Sequence, residues 1–148
     1  MQTTLSKKQL EYYYEDFGDD TQTEHFIRLI PQKYLLSTNV IVDIGGGVGY
    51  FASSIRSRIE LKVRILDIDS VAIDQCRNKG LTAIFCDALN PSIQGDEDVV
   101  CFNLVLHHLV GEDERSTLNM QKQALNVWKN HAKLIFINEY QSRPEIRT

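Results

Sequence analysis

The residues best suited to chemistry are three aspartates that lie at or just after the ends of successive apolar runs. Asp43 begins the loop Asp43-Ile44-Gly45-Gly46-Gly47-Val48-Gly49, Asp67 ends the next run, and Asp87 follows the third. Glycines in such a loop allow positive φ and let a ligand approach the backbone closely. Because the carboxyl ends of parallel strands line the ligand crevice of an open α/β sheet, the three carboxylates are predicted to lie along one edge.

The spacing of these acids indicates what kind of ligand they suit. A carboxylate at Asp43 would repel a phosphate and attract an ammonium group. Asp67 lies 18 residues after Gly49, close to the spacing at which an acid binds ribose hydroxyls in doubly wound folds. Asp69 is the competing acid, although its position is more typical of a helix cap. The dinucleotide pattern G-x-G-x-x-G fails at Tyr50, which disfavours an NAD-dependent oxidoreductase.

Five apolar, largely β-branched runs are predicted to be the strands that position these acids. They are Val40–Ile44, Val63–Leu66, Ala83–Cys86, Val99–Leu106 and Leu134–Ile137. Most are apolar throughout, which is typical of strands covered on both faces of a parallel sheet. Arg64 interrupts the second run, and we expect an outer strand to tolerate it there.

Helical patterns alternate with these runs and predict an α/β fold with right-handed crossovers. Asp69-Ser70 is a cap signal for one helix, which is predicted to stop at Gly80. Residues 112–114 are acidic and suit the start of a later helix. Between the third and fourth runs, Asn90-Pro91-Ser92 allows little more than one helical turn.

Composition bounds the remaining possibilities. The chain has 148 residues, 43% of them hydrophobic and 24% charged, with a net charge of −4. These values are those of one globular domain and argue against a dedicated nucleic-acid binder. The sequence has no 18-residue apolar run and no apolar signal core in residues 1–8, so we expect a cytoplasmic chain without membrane contact. Its three cysteines are predicted to be buried apolar residues, and no Cys/His spacing predicts a metal site.

Taken together, the motifs resemble those of the class I S-adenosylmethionine-dependent methyltransferases, over about residues 40–139. The matching segments are Val42–Gly49, Leu66–Asp69, Cys86–Ala88 and Asp98–Leu109, the last similar to the fourth-strand segment of the small-molecule branch. The resemblance implies a Rossmann-like parallel sheet of five strands in the order 3-2-1-4-5, with helices on both faces. It also implies S-adenosylmethionine as cofactor, S-adenosylhomocysteine as product and a small-molecule methyl acceptor.

The resemblance further implies which residues would form the cofactor site. Asp67 would bind the ribose and Asp87 the adenine amino group. DNA amino-methylation is disfavoured because no Asn/Asp-Pro-Pro-aromatic motif follows the fourth run. The full set of candidates for binding the cofactor is Asp43, Gly45, Gly47, Gly49, Asp67, Ile68, Asp87, Ala88, Asn103 and Leu104.

Residues that could face the methyl acceptor are fewer. His107 and His108 follow the fourth run, and His108 is the candidate for a pocket wall or a general base. Asn138 and Glu139 end the fifth run and could also face the acceptor. The aromatic segment Tyr12–Phe17 would either close over the cofactor or pack on the sheet.

The domain organisation expected from this resemblance is a helical cap over residues 1–39 and a cofactor-binding core over 40–148. Members of the family usually continue with a helix and two further strands, so the core is expected to be truncated and its fifth strand to be an exposed edge. Such an edge invites self-association. The alternative to a methyltransferase is a non-catalytic S-adenosylmethionine- or nucleoside-binding module, or a fragment that acts with a partner.

Overall fold

A five-stranded parallel sheet forms the centre of the molecule, in a computed structural model that describes residues 21–140. The strand order is β3-β2-β1-β4-β5, as predicted. The expectations for Tyr12–Phe17 and for the chain beyond residue 140 lie outside the described residues. The strands are β1 Val40–Ile44, β2 Lys62–Asp67, β3 Thr82–Phe85, β4 Val99–Asn103 and β5 Leu134–Asn138.

Helices cover both faces of this sheet, which confirms the predicted fold class. Asp69 caps the helix after β2 by accepting hydrogen bonds from Val71 N (2.9 Å) and Ala72 N (3.3 Å). Asp113 caps the last helix in a capping box with Ser116. The helices are α1 Thr21–Leu29, α2 Gln32–Ser37, α3 Tyr50–Ile59, α4 Ser70–Asn78 and α5 Glu114–Trp128, with a 3₁₀ turn at Leu106–His108.

The apolar core is divided by the sheet into two clusters. On one face Phe26 of α1 is fully buried and makes edge-to-face contacts with Phe51 and Phe136, at centroid distances of 5.5 and 5.3 Å. On the other face Trp128 of α5 packs with Phe102 of β4. Helices are thereby packed on both faces of the sheet. Whether residues 1–39 act as a cap stays a prediction.

Two sequence-based expectations about the strands were wrong. The fourth strand ends at Asn103 and does not reach Leu106, because Leu104 adopts a left-handed φ of 53° and donates its N–H to Asn138 O (2.7 Å). Arg64 does not lie on an outer strand, since β2 pairs with both β1 and β3. Its guanidinium is buried because it is neutralised, at 2.8 Å from Asp96 and 3.2 Å from Glu97.

The fifth strand is an edge of the sheet, as expected, and Ile137 on it is 48% exposed. Self-association through this edge stays a prediction. The segment between β3 and β4 contains no helix, in agreement with the sequence. Within residues 21–140, no helix is both long and apolar enough to cross a membrane.

Candidate functional site

The glycine loop joins β1 to α3 at the carboxyl edge of the sheet. Gly47 has a φ of +54°, and a methyl group added there would meet no atom within 4 Å. Gly49 has a φ of +83°, and a methyl group there would lie 2.5 Å from Leu81 Cδ1. The two glycines therefore serve different ends, because Gly47 opens a space above the loop while Gly49 lets the loop pack on the core.

Helix α4 supports the loop from below, which the sequence reasoning missed. Lys79 Nζ donates a hydrogen bond to Val48 O (3.0 Å), and Cys76 Sγ lies 3.2 Å from Gly47 O. The sequence predicts only buried apolar roles for the cysteines, Cys76 among them, and it assigns Lys79 no role beyond the helix stop. The residues' types gave no signal for these contacts, since both depend on how α4 packs against the loop.

Asp43 lies directly beneath this loop and is fully buried. A methyl group on Gly46 would come within 2.5 Å of Asp43 Oδ2, so only a glycine fits above the carboxyl group. Asn103 on β4 donates from Nδ2 to Asp43 Oδ1 at 3.4 Å. Burial raises the pKa of Asp43 to about 7, the Asn103 hydrogen bond opposes that rise, and the nearby Asp67 charge adds to it.

Two acceptor atoms at this point have no hydrogen-bond partner among the described residues. They are Asp43 Oδ2 and Asn103 Oδ1. Buried acceptors without a donor are uncommon in folded proteins and each calls for an explanation. A ligand that brings N–H donors, an ammonium group above all, would satisfy both.

Asp67 ends β2 and faces the same loop. Its Oδ2 accepts from Gly47 N and its Oδ1 from Asp69 N, both at 2.8 Å. Burial is the main cause that raises the pKa of Asp67, and these backbone hydrogen bonds oppose it. Each carboxylate oxygen can accept a second hydrogen bond, so Asp67 can bind a pair of hydroxyls. Asp69 is occupied as the cap of α4, while Ile68 separates the two acids.

The end of β3 lies beside Asp67, since Cys86 N donates to Asp67 O at 2.9 Å. Asp87 then begins a turn in which its Oδ1 accepts from Leu89 N (2.8 Å). Ala88 is buried against the core in this turn. Three strand ends thus bring Asp43, Asp67 and Asp87 to one edge of the sheet, as the sequence predicted.

The fourth strand leads into a short loop that carries both histidines. Leu104 is buried and holds the left-handed turn that starts this loop. The His107 and His108 rings contact each other at a centroid distance of 4.1 Å, with their planes tilted by 42°. Burial, with a smaller effect of His107, lowers the pKa of His108, and the Glu139 and Asp67 charges partly oppose this. His108 therefore lies within the field of Asp67, while its role as a pocket wall or a general base stays a prediction.

The His107–Glu139 contact is a site feature that the sequence did not reveal. His107 Nδ1 lies 2.8 Å from Glu139 Oε2, and Glu139 Oε1 accepts from Leu106 N at 2.6 Å. Glu139 lies directly after β5, so the two neighbouring strand ends are joined here. In residues 21–140, no group of His, Cys, Asp or Glu side chains is arranged to hold a metal ion.

Comparison with known proteins agrees with this geometry. A family model described as "Methyltransferase domain" matches residues 42–136, and the chain belongs to that family. The predicted membership of a methyltransferase family is therefore confirmed. A search of curated protein sequences finds no match.

Solved structures share the fold at low sequence identity. A sugar N-methyltransferase from Streptoalloteichus sp, KedS8, has a TM-score of 0.70 at 10% identity over 99% of this chain and 59% of its own. An S-adenosylmethionine-bound amino pentose methyltransferase from Micromonospora echinaspora, CalS10, has a TM-score of 0.70 at 14% identity over 98% and 61%. DesVI from Streptomyces venezuelae gives 0.68 at 11% over 99% and 62%. The chain thus spans about three-fifths of the length of these proteins.

Proposed function

We propose that this chain binds S-adenosylmethionine at the carboxyl edge of the sheet and transfers its methyl group to a small molecule. The observation that carries the proposal is the buried acceptor pair at Asp43 and Asn103, beneath a loop that opens at Gly47. The cofactor has an ammonium group, ribose hydroxyls and an adenine amino group, and it has no phosphate. A row of acceptor groups suits that set of donors.

Each candidate residue has a role in this proposal. Asp43 and Asn103 attract the ammonium group, and the open side of Gly47 admits the cofactor close to the backbone, with Gly45 and Gly49 shaping the loop. Asp67 binds the ribose hydroxyls, and Asp87 accepts from the adenine amino group. Ile68 and Ala88 supply apolar contacts to the adenosine, and Leu104 closes the crevice at the end of β4.

The bound cofactor would supply an electrophilic methyl group on a sulfonium. The work of the chain is then to align the acceptor with that methyl group and to exclude water from the crevice. Glu139 holds the loop after β4 through Leu106 N and His107. This loop lies where such an acceptor would bind, because the ends of β4 and β5 border the crevice. Two of the similar structures are named for amino sugars or sugar nitrogen, and we propose a small amine or hydroxyl compound as the acceptor.

Calorimetry tests the cofactor half of the proposal. S-adenosylmethionine and S-adenosylhomocysteine should both bind in a one-to-one ratio, while NAD should give no heat. Absence of heat with both sulfur ligands would overturn the proposal. Transfer of a labelled methyl group from S-adenosylmethionine to glucosamine, galactosamine or ethanolamine tests the second half.

The second candidate is a binding module that holds the cofactor without turnover, alone or with a partner. It is favoured by one observation: the acceptor atoms without a partner, on Asp43 and Asn103, suit the cofactor and do not involve a methyl acceptor. Binding of both sulfur ligands without methyl transfer to any acceptor offered would favour this reading over catalysis.

A further inference from the structure

Glu139 holds two different groups of the loop that follows β4. Its Oε1 accepts from the backbone N–H of Leu106 at 2.6 Å, and its Oε2 lies 2.8 Å from His107 Nδ1. The Glu139 side chain is 20% exposed and that of His107 is 42% exposed. The carboxylate is thus largely withdrawn from water, while the imidazole is partly exposed beside the ends of β4 and β5.

This contact determines which nitrogen of His107 carries the proton. A carboxylate oxygen can only accept, so Nδ1 must be the donor in the pair. In the neutral ring the lone pair then belongs to Nε2, the nitrogen on the far side from Glu139. A carboxylate that orients an imidazole in this way also stabilises the imidazolium formed when the ring takes up a proton.

We propose that His107 accepts the proton of the methyl acceptor, with Glu139 as its positioning residue; this rests on the proposed function. The acceptor is therefore an amine or an alcohol, whose attacking nitrogen or oxygen bears a proton. A lone pair on that atom forms the new bond to the methyl carbon, the carbon–sulfur bond breaks, and its electron pair stays on sulfur. The proton goes to His107 Nε2, which leaves an imidazolium opposite the Glu139 carboxylate.

The surroundings favour His107 over its neighbour for this role. Glu139 contacts the His107 ring directly, whereas His108 is half-buried and its ring packs on that of His107 at a centroid distance of 4.1 Å. The Tyr140 ring lies 5.8 Å from His107 on the β5 side. Burial lowers the pKa of His108, and the Glu139 and Asp67 charges oppose this only in part. A positive charge on His107 is thus compensated by Glu139, while one on His108 would be less well solvated.

The Glu139→Gln variant separates this role from a merely structural one. Leu106 N still needs an acceptor, so the amide oxygen of the glutamine should face Leu106 and its NH₂ should face His107 Nδ1. The ring must then carry its proton on Nε2, the wrong nitrogen for accepting one. Nitrogen-15 NMR of the histidine rings, with S-adenosylhomocysteine bound, should show Nδ1–H at His107 in the original chain and Nε2–H in the variant. An Nε2–H ring in the original chain, or an unchanged ring in the variant, would overturn the proposal.

Activity on the amine panel gives the second readout. His107→Gln and Glu139→Gln should each lower kcat by at least about 100-fold, the size typical of a lost general base, and leave the Kd for S-adenosylhomocysteine within about twofold. His131→Gln, at an exposed position in the turn after α5, is the matched control and should not change kcat. Undiminished turnover in His107→Gln would contradict the role of His107. Absence of S-adenosylhomocysteine binding by the original chain would contradict the proposed function itself.

Discussion

Asp67 Oδ2 accepts the backbone N–H of Gly47 at 2.8 Å, which joins the end of β2 to the middle of the glycine loop. The same carboxyl group accepts from Asp69 N through its other oxygen. Asp67 therefore shapes the loop and keeps one acceptor position on each oxygen for a ligand. This double use makes it the residue whose loss should affect binding most.

Replacing Asp67 by alanine should weaken binding of S-adenosylhomocysteine by about 30- to 1,000-fold. The estimate corresponds to about 2–4 kcal/mol for a pair of hydrogen bonds to a charged group. Calorimetry measures it directly. Asp69→Ala is the matched control, since it removes the cap of α4, costs about 1 kcal/mol of folding free energy and leaves the affinity nearly unchanged. Unchanged affinity in Asp67→Ala would show that another acid binds the ribose.

Replacing Gly47 by alanine should weaken binding of S-adenosylhomocysteine about 10-fold or more. The added methyl group meets no atom of the described chain within 4 Å, so it would project into the space assigned to the cofactor. Gly80→Ala is the matched control, because Gly80 also has a positive φ (+73°) and open space around it. Both variants should lose a similar folding free energy, about 1–2 kcal/mol. Equal affinities in the two variants would place the ligand elsewhere.

Much of the fold follows from local patterns in the sequence. Apolar runs gave all five strands, and a single acid before a helix gave the cap at Asp69, because both signals arise from neighbouring residues. The three aspartates could be placed at one edge for a related reason, since each follows a strand and parallel strands end together. The strand order came from the resemblance to a family.

What the sequence could not reveal depends on contacts between distant residues. The partners of Arg64, Asp96 and Glu97, lie more than 30 residues away in a loop, so nothing near Arg64 indicated that it would be neutralised on an inner strand. The break at Leu104 was hidden within an apolar run, because it is fixed by a hydrogen bond to Asn138 O.

Replacing Asp43 by asparagine should change how stability depends on pH. The pKa of Asp43 is raised from 3.8 to about 7 in the folded protein without ligand, so between these values the folded state binds more protons than the unfolded state. The contribution of Asp43 to the free energy of unfolding is therefore present in full below pH 4 and is lost as the pH rises through 7. Relative to Asp43→Asn, the original chain should lose at most about 4 kcal/mol of unfolding free energy over this range.

Denaturant unfolding from pH 4 to pH 8 measures the Asp43 effect, with Asp113→Asn as a control that should stay nearly flat over this range. Hydrogen bonds from Ser116 lower the pKa of Asp113, so its contribution to stability is present above the unfolded pKa and is lost only at about pH 4 and below. A difference between the original chain and Asp43→Asn that stays flat over this range would contradict the raised pKa of the buried Asp43.

Replacing Arg64 by leucine should destabilise the fold by about 3–5 kcal/mol, because it would leave Glu97 buried without a positive partner. The Glu97 side chain is completely buried, and it also accepts from Gln94 N (2.5 Å) and Gly95 N (2.8 Å). Loss of the arginine therefore leaves the Glu97 carboxylate buried without a positive partner. The carboxylate cannot reach water unless its hydrogen bonds to Gln94 N and Gly95 N break. Urea unfolding at pH 7 measures the change.

Two further variants identify the buried charge as the cause of the Arg64 effect. Arg58→Leu breaks an exposed ion pair with Glu24 (3.6 Å) and should cost no more than about 1 kcal/mol. Adding Glu97→Gln to Arg64→Leu removes the stranded charge and keeps an amide oxygen for the loop, so stability should partly return. A double variant no more stable than Arg64→Leu alone would contradict this cause. The effect would then come from lost packing of the arginine stem, because that loss is the same with Glu or Gln at position 97.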